Sequence, residues 1–323
     1  MPKKPGSSLL GKIAAIDVTA DPSFQGADQD KKPALLPKDI FALLSKTVIG
    51  QEQAKKSLAV IIYQQLKRYA LRSENKNLAK TNALLVGPTG CGKTIMARTL
   101  ADIVGLPFLQ IDATSLVQRG YRGGTHIDQF VDLLFSAAKG DRKRAEYAVV
   151  FIDEIDKLAY NPHDESELAT FGVQQDLLSL IDGSEVFYEP DSAEYSRQSF
   201  SFCNVLFLFG GAFTGLSHKK ELAVSDLYSF GLMPEFANRL GNIICLDCLS
   251  EEIIRQLTHQ TVRQYAAYVS MTNAEENAYA EIIFSLLLAD KSYEQMGGRC
   301  VAPLVRDFFE DLIFSYENKK GGE

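Results

Sequence analysis

The sequence predicts an α/β fold with a mostly parallel sheet flanked by helices, followed by a small, mainly α-helical domain. Between about Asn82 and Leu246, short apolar runs alternate with stretches of helical spacing, a pattern typical of parallel strands joined by helices. Beyond Leu249 the strand pattern almost disappears. With 323 residues and 46% hydrophobic content, the chain can form about two domains with a sizeable core.

Three parts of the chain differ in pattern. Residues 1–36 carry Gly, Ser, Asp and Pro without periodicity, so we expect a flexible or accessory N-terminal arm. Residues 37–246 form the predicted large domain. Residues 247–323 form the small helical domain, which begins with a helix capped by Ser250. Its last helix has an apolar stripe that we interpret as core rather than as a partner-binding face: Val301, Leu304, Val305, Phe308, Phe309, Leu312 and Ile313.

The octapeptide Gly87–Thr94 is the most informative motif, because a glycine is followed after four residues by Gly-Lys-Thr. An apolar run precedes it and helical spacing follows, which predicts a strand, a Gly-rich turn and a helix. In that arrangement backbone N–H groups face phosphates, Lys93 neutralises the β/γ oxygens and Thr94 reaches Mg²⁺. The alternative is a chance Gly-rich turn before a helix. The motif predicts binding of a nucleoside triphosphate through Pro88, Thr89, Gly90, Cys91, Gly92, Lys93 and Thr94.

A second motif supplies carboxylates at the end of another apolar strand, residues 148–152. Asp153 would hold the magnesium ion, and Glu154 would orient the attacking water as the catalytic base. Adjacent residues at a strand end point to opposite faces, so one carboxylate can meet the metal and the other can meet water. Taken alone, the pattern could be a strand that ends in solvent.

Composition excludes several classes of protein. The chain has 34 Lys plus Arg against 41 Asp plus Glu, a net charge of −7, which disfavours a general nucleic-acid binder. It has no run of about 18 apolar residues that could cross a membrane. The basic start at Met1–Pro5 is followed by acidic residues rather than a signal-peptide core. We therefore expect a cytoplasmic protein.

The five cysteines are scattered, which indicates reduced thiols rather than a disulfide framework. Cys245 and Cys248 have the spacing of half a zinc site, but there is no second pair and His259 is the only histidine nearby. We interpret them as thiols near the end of a strand.

From about Pro37 to Phe314 the chain resembles the AAA+ ATPases of the ClpX/HslU group. The stretches that carry the resemblance are 48–51, 87–94, 112–114, 120–123, 151–157, 172–175, 210–213, 231–236 and 239–240. The resemblance implies an AAA+ phosphate-binding-loop domain followed by the small helical domain. It also implies a homo-oligomeric ring, a hexamer, that uses ATP and Mg²⁺ to unfold protein substrates.

The resemblance gives roles to four further residues. Val48 and Ile49 fall where the family packs the adenine ring, and an apolar slot suits a flat base. Arg239 falls at the arginine finger, which reaches the γ-phosphate bound by a neighbouring subunit. With Glu154, Arg239 is therefore the second predicted catalytic residue. Arg299 falls at the sensor arginine of the small domain, which reports the state of the nucleotide. Without the resemblance, either arginine could be a solvated surface charge.

Tyr121 falls at the aromatic residue that lines the central pore of the ring and grips unfolded polypeptide. The segment 120–123 keeps the aromatic residue and both glycines, but Arg122 stands where an apolar residue is usual. A ring of arginines in the pore would favour acidic segments, which is our hypothesis for the substrate. A simple surface turn is the alternative.

The chain departs from the group in several places. Residues 1–36 contain no cysteine, so the zinc-binding N-terminal domain is missing from this sequence. Residues 217–230 contain no Ile-Gly-Phe-like tripeptide, which makes a ClpP-like protease partner doubtful. The strand 205–209 offers no polar residue at its end, so the first sensor is not assigned.

Two functions from different classes remain. The first is an ATP-driven protein unfoldase or remodelling chaperone that threads polypeptide through the ring. The second is a nucleotide-controlled assembly or scaffold ATPase that does not thread substrate. A motor acting on nucleic acid is a third reading, which the acidic balance disfavours.

Overall fold

The computed structural model describes residues 35–72, 78–117, 129–160, 168–188, 198–216 and 221–320. Up to residue 246 the helices are α1 Pro37–Thr47, α2 Glu52–Ala70, α3 Lys93–Val104, α4 Gln129–Ala137, α5 Arg142–Ala145, α6 Leu168–Ile181, α7 Val224–Phe230 and α8 Pro234–Arg239. The strands are β1 Ala83–Val86, β2 Phe108–Asp112, β3 Val149–Asp153, β4 Glu185–Tyr188, β5 Gln198–Ser201, β6 Leu206–Gly211 and β7 Asn242–Cys245. The helices α9 Glu251–Ala266, α10 Asn273–Asp290, α11 Ser292–Met296 and α12 Val301–Lys320 follow. No helix in the described ranges is both long and apolar enough to cross a membrane.

Five strands form one sheet in the order β2-β3-β6-β1-β7, and every neighbouring pair is parallel. This arrangement confirms the predicted fold class. Because β1 and β3 flank β6, their carboxyl ends are two strand spacings apart, about 10 Å. The residues that follow β1 and the residues that end β3 therefore meet at one edge of the sheet. A separate antiparallel pair, β4 and β5, was not predicted from the sequence.

Both faces of the sheet are covered by helices. Alternate residues of each strand point to opposite faces, so that Leu84 belongs to one apolar cluster and Leu85 to the other. The first cluster includes Leu177 of α6, and the second includes Met96 of α3. All six residues of β6 are buried, as expected of a central parallel strand that helices cover on both sides.

The helices α9–α12, called here the helical region, have an apolar core of their own. Ser250 caps α9, because its hydroxyl accepts a hydrogen bond from the Ile253 backbone N–H at 3.4 Å. The predicted stripe of α12 packs into this core: Val301, Val305 and Phe309 are buried, and Leu304, Phe308, Leu312 and Ile313 are partly buried against them. The interpretation of the stripe as core is confirmed.

Gln174 on α6 joins two chain segments that lead to predicted site residues. Its side chain is fully buried, donates to the Leu158 carbonyl at 2.7 Å and accepts from the Met233 N–H at 2.8 Å. Leu158 ends the short turn that follows β3 and its Asp153, while Met233 precedes α8 and its Arg239. One buried amide therefore fixes α8 relative to the end of β3.

We expect Gln174→Leu to lower the free energy of unfolding by about 2–4 kcal/mol, because it leaves a buried carbonyl and a partly buried N–H without partners. Urea unfolding would measure the loss. Gln175→Leu is the matched control, since Gln175 is the next residue of the same helix and is exposed. Equal losses in the two variants would show that the buried hydrogen bonds of Gln174 are not what stabilises this junction.

Candidate nucleotide-binding site

The predicted phosphate-binding loop lies between β1 and α3. β1 is buried throughout, and α3 begins at Lys93 with Gly92 as its N-terminal cap. Gly90 and Gly92 have φ angles of +75° and +108°, a backbone region that favours glycine. A Cβ atom on Gly90 would also lie 2.0 Å from the carbonyl oxygen of Met296. The predicted order of strand, Gly-rich turn and helix is confirmed.

The loop holds the ammonium group of Lys93 with its own backbone. Lys93 Nζ donates to the carbonyl oxygens of Gly87 at 2.6 Å and Pro88 at 3.0 Å. Cys91, in the same loop, is 2% exposed, and burial raises the pKa of its thiol. The thiol therefore stays protonated near neutral pH and contributes to packing rather than to charge.

Thr94 and Asp153, the two predicted magnesium ligands, are in direct contact although 59 residues separate them. Thr94 Oγ1 donates to Asp153 Oδ2 at 2.6 Å. A hydroxyl and a carboxylate are the hard oxygen ligands that Mg²⁺ prefers, so the pair fits this ion. Across the described ranges, no group of three or more His, Cys, Asp or Glu side chains could hold a metal ion. Mg²⁺ commonly takes one or two carboxylates and completes its shell with phosphates and water, which agrees with a site of this kind.

Glu154 differs from Asp153 in backbone and in environment. Its φ is +57°, an unusual value for a residue other than glycine, and it begins the short turn Ile155–Leu158. Its backbone N–H donates to Asp153 Oδ1 at 3.0 Å, while its own side chain is exposed. One carboxylate is thus hydrogen-bonded to Thr94 of the phosphate-binding loop, and the other is accessible to water. Strained backbone of this kind is common at active sites.

The carboxyl end of β6 explains why no polar sensor residue could be assigned to it. A Cβ atom on Gly210 would lie 2.8 Å from Asp153 Oδ1, and one on Gly211 would lie 2.9 Å from Asp156 Oδ1. Asp156 is 6% exposed and accepts a hydrogen bond from the Ala212 N–H at 3.1 Å. The rings of Phe151 and Phe213 lie equally close or closer, so the two carboxylates and these rings together leave no space for side chains at the end of β6. This role of the Gly210–Gly211 pair was not predicted from the sequence, although the pair is part of the resemblance.

Val48 and Ile49, the predicted adenine contacts, lie in different environments. Val48 is 4% exposed and packs into the apolar core beneath α3. Ile49 is partly exposed and lines a groove of about 710 Å³ between the end of α1 and helix α9. The rest of the groove is polar and includes Arg255, His259 and Arg263. Of the two residues, only Ile49 therefore has an apolar side chain that a ligand can reach.

Arg299 lies in a turn that touches the phosphate-binding loop. The backbone N–H of Gly298 donates to the Gly90 carbonyl at 3.1 Å, and a Cβ on Gly297 would lie 2.8 Å from the Thr89 carbonyl oxygen. Arg299 is the next residue and its side chain is exposed. The structure thus places the predicted sensor arginine beside the loop that it would report on.

Arg239 lies far from this loop within its own chain. Its carbonyl accepts from Asn82 Nδ2 at 3.3 Å, and Asn82 immediately precedes β1, whereas the loop follows the other end of β1. The four residues of β1 separate the two ends by roughly 13 Å. The Arg239 side chain is 56% exposed and pairs with Asp182, with Nε and Oδ1 2.5 Å apart. Asp182 was not predicted as the partner of Arg239, because no local pattern in the sequence distinguishes it from other surface acids.

Other predicted residues are peripheral to this site or lie outside the described residues. Cys245 ends β7, and all five cysteines have free thiols. Tyr121 and Arg122 lie outside the described residues.

Comparison with known families agrees with this geometry. A family model described as AAA domain (Cdc48 subfamily) matches residues 78–243, just over half of the chain. The matched range contains the loop between β1 and α3, the Thr94–Asp153 contact and Arg239. The chain therefore belongs to the AAA ATPase family, whose members are driven by nucleotide.

Proposed function

We propose that this protein is an ATP-dependent unfoldase or remodelling chaperone of the ClpX/HslU type, working in the cytoplasm as a homo-oligomeric ring, a hexamer. The observation that carries the proposal is the separation of the site into two parts. Thr94 and Asp153 meet at one end of β1, while Arg239 lies at the other end and is exposed. A finger that cannot reach its own loop suits a site completed by a neighbouring subunit.

The residues at the first end divide the chemical work among them. ATP with Mg²⁺ supplies, when bound, the phosphoryl group whose transfer to water releases free energy. Lys93 would exchange its two carbonyl partners for phosphate oxygens, which bind an ammonium more strongly because they carry charge. Thr94 and Asp153 would hold the magnesium ion. Glu154 would orient the attacking water and accept its proton.

Arg239 would act in a neighbouring subunit. Its guanidinium would stabilise the negative charge that develops on the γ-phosphate oxygens in the transition state. Contacts in which one subunit offers Arg239 and the next offers the loop are head-to-tail contacts, and such contacts form a ring when the rotation between successive subunits closes. In the same scheme Arg299 would contact the nucleotide, because its turn touches Gly90. A change in the nucleotide would then move the helical region.

Threading rests on Tyr121, whose role is inferred from the resemblance alone. If Tyr121 grips polypeptide in the pore and Arg122 adds positive charge beside it, acidic segments are the favoured substrates. Nucleic acid is disfavoured by the net charge of −7. The alternative is a scaffold ATPase that assembles with nucleotide and does not thread. The presence of Glu154 and Arg239 favours ATP turnover under both hypotheses, whereas the presence of Tyr121 favours threading.

A mixture of two inactive variants tests the shared site. We expect Arg239→Ala and Glu154→Gln each to reduce steady-state ATP hydrolysis by on the order of a hundredfold or more. When the two are mixed, an Arg239→Ala subunit keeps its own Glu154 and can receive Arg239 from a Glu154→Gln neighbour. Random mixing would restore roughly a quarter of the sites.

Arg306→Ala is the matched control for this mixture, because Arg306 is an exposed arginine paired with Asp307 on the surface of α12. The Arg306→Ala variant should hydrolyse ATP at the wild-type rate. A mixture that stays inactive, although subunits exchange, would contradict a finger supplied by the neighbour.

Threading is tested by Tyr121→Ala. We expect this variant to lose the unfolding of a fluorescent substrate protein that carries an acidic tail, while ATP hydrolysis stays within about twofold of the wild type, because the pore grip is separate from the phosphate site. Tyr268→Ala is the control, since Tyr268 is a tyrosine of the helical region that is 63% exposed. Unfolding that persists in Tyr121→Ala would favour the scaffold alternative.

A further inference from the structure

The turn between α1 and α2 is a junction of three parts of the molecule. It consists of Gly50 and Gln51, which have φ angles of +73° and +59°. A Cβ on Gly50 would lie 2.7 Å from Ile253 Cδ1, so the turn is pressed against the first turn of α9 in the helical region. The same turn follows Val48 and Ile49, the predicted base contacts. It therefore lies between the nucleotide site and the helical region.

The side chain of Gln51 bridges two segments of backbone. Its Nε2 donates to the Asp247 carbonyl at 2.8 Å, and its Oε1 accepts from the Asp247 N–H at 3.1 Å. Both backbone groups of Asp247 are thus paired with one amide, as in a strand. Nε2 also lies 3.4 Å from the carbonyl oxygen of Cys91 and donates to it. One amide joins the phosphate-binding loop to the segment that connects β7 with α9, residues 246–250, called here the linker.

The conformation of Gln51 is one that its surroundings must maintain. A left-handed backbone is unfavourable for glutamine, and it persists only where neighbouring contacts hold it. Here the contacts are those of the side chain with Asp247 and Cys91. If the loop carbonyl of Cys91 moves, the amide that it shares with Asp247 must readjust as well. A shift in the loop therefore changes how the linker is held.

We propose that Gln51 is a positioning residue that transmits the state of the phosphate-binding loop to the linker, and through the linker to the helical region. The inference rests on the proposed function only in requiring that the loop bind nucleotide. The hydrogen bond from the Gly298 N–H to the Gly90 carbonyl is a second contact between the loop and the helical region. It lies near the start of α12, the last helix of that region. Gln51 acts at the near end, where the chain enters α9, so its effect is read at the linker.

The test compares wild type, Gln51→Ala, Gln51→Glu and Gln53→Ala by hydrogen–deuterium exchange with mass spectrometry. Gln53 is an exposed glutamine two residues along and is the matched control. Gln51→Glu keeps the shape of the side chain and its acceptor for the Asp247 N–H, but replaces the Nε2 donor. Each protein is measured with and without a non-hydrolysable ATP analogue and Mg²⁺, and the affinity for the analogue is titrated in parallel.

In the wild type and Gln53→Ala, we expect the analogue to slow exchange by at least about fivefold, both in residues 86–96, which contain the loop, and in the linker. In both Gln51 variants the loop should still be protected and the affinity should fall by less than about threefold, a small part of the binding free energy. The linker response should be lost in both. A residue with only a structural role would not keep the affinity and the loop protection while losing the protection of the linker.

Each of the other outcomes overturns a different claim. A normal linker response in the Gln51 variants would show that the signal travels by another route, such as Gly298. A large loss of affinity in both variants would make Gln51 a binding residue rather than a positioning residue. Absence of loop protection in the wild type would instead overturn the proposed function, and is distinguished by the titration.

Discussion

The contact between Thr94 and Asp153 is the interaction on which the rest of the site depends. At 2.6 Å it joins the helix after the phosphate-binding loop to the end of β3. The contact is possible because β6 lies between β1 and β3 and has Gly210 next to its last residue, where the lack of a side chain leaves space for the Asp153 carboxylate. Strand order and the placement of Gly210 together therefore make the Thr94–Asp153 contact possible. A side chain at Gly210 would displace Asp153 and so affect the site without contacting nucleotide.

The second constraint is the position of Arg239. Asn82 ties its backbone to the start of β1, and Asp182 holds its side chain on the surface. Asp182 also lies near Lys80, whose pKa is lowered by burial to about 8. An exposed ion pair is weak, since solvent screens both charges. In the proposed ring, Asp182 would therefore hold Arg239 without preventing it from pairing with the more highly charged phosphate of a neighbouring subunit.

Much of this fold could be predicted from sequence, because the strands are short uninterrupted apolar runs and the loop motif has a fixed spacing. The convergence of Thr94 and Asp153 followed from these two patterns together. The Arg239–Asp182 pair and the bridge made by Gln51 could not be predicted, since each joins residues far apart in the chain with no local signal. The sequence shows that the strand 205–209 has no polar residue, but the reason, which is that other side chains lie against Gly210 and Gly211, depends on the strand order. The unequal exposure of Val48 and Ile49 likewise depends on how α1 packs on the sheet.

The measurement that tests the central claim most directly is steady-state ATP hydrolysis by the purified protein beside Glu154→Gln, at the same concentration and with Mg²⁺. The account predicts turnover in the wild type that falls by on the order of a hundredfold or more in the variant, because Glu154 is the only group here assigned to activate water. Binding of ATP should persist in the variant, since Lys93, Thr94 and Asp153 remain. Equal turnover in the two proteins, or none in the wild type under conditions where it binds ATP and assembles, would contradict the assignment of this site as the ATPase centre.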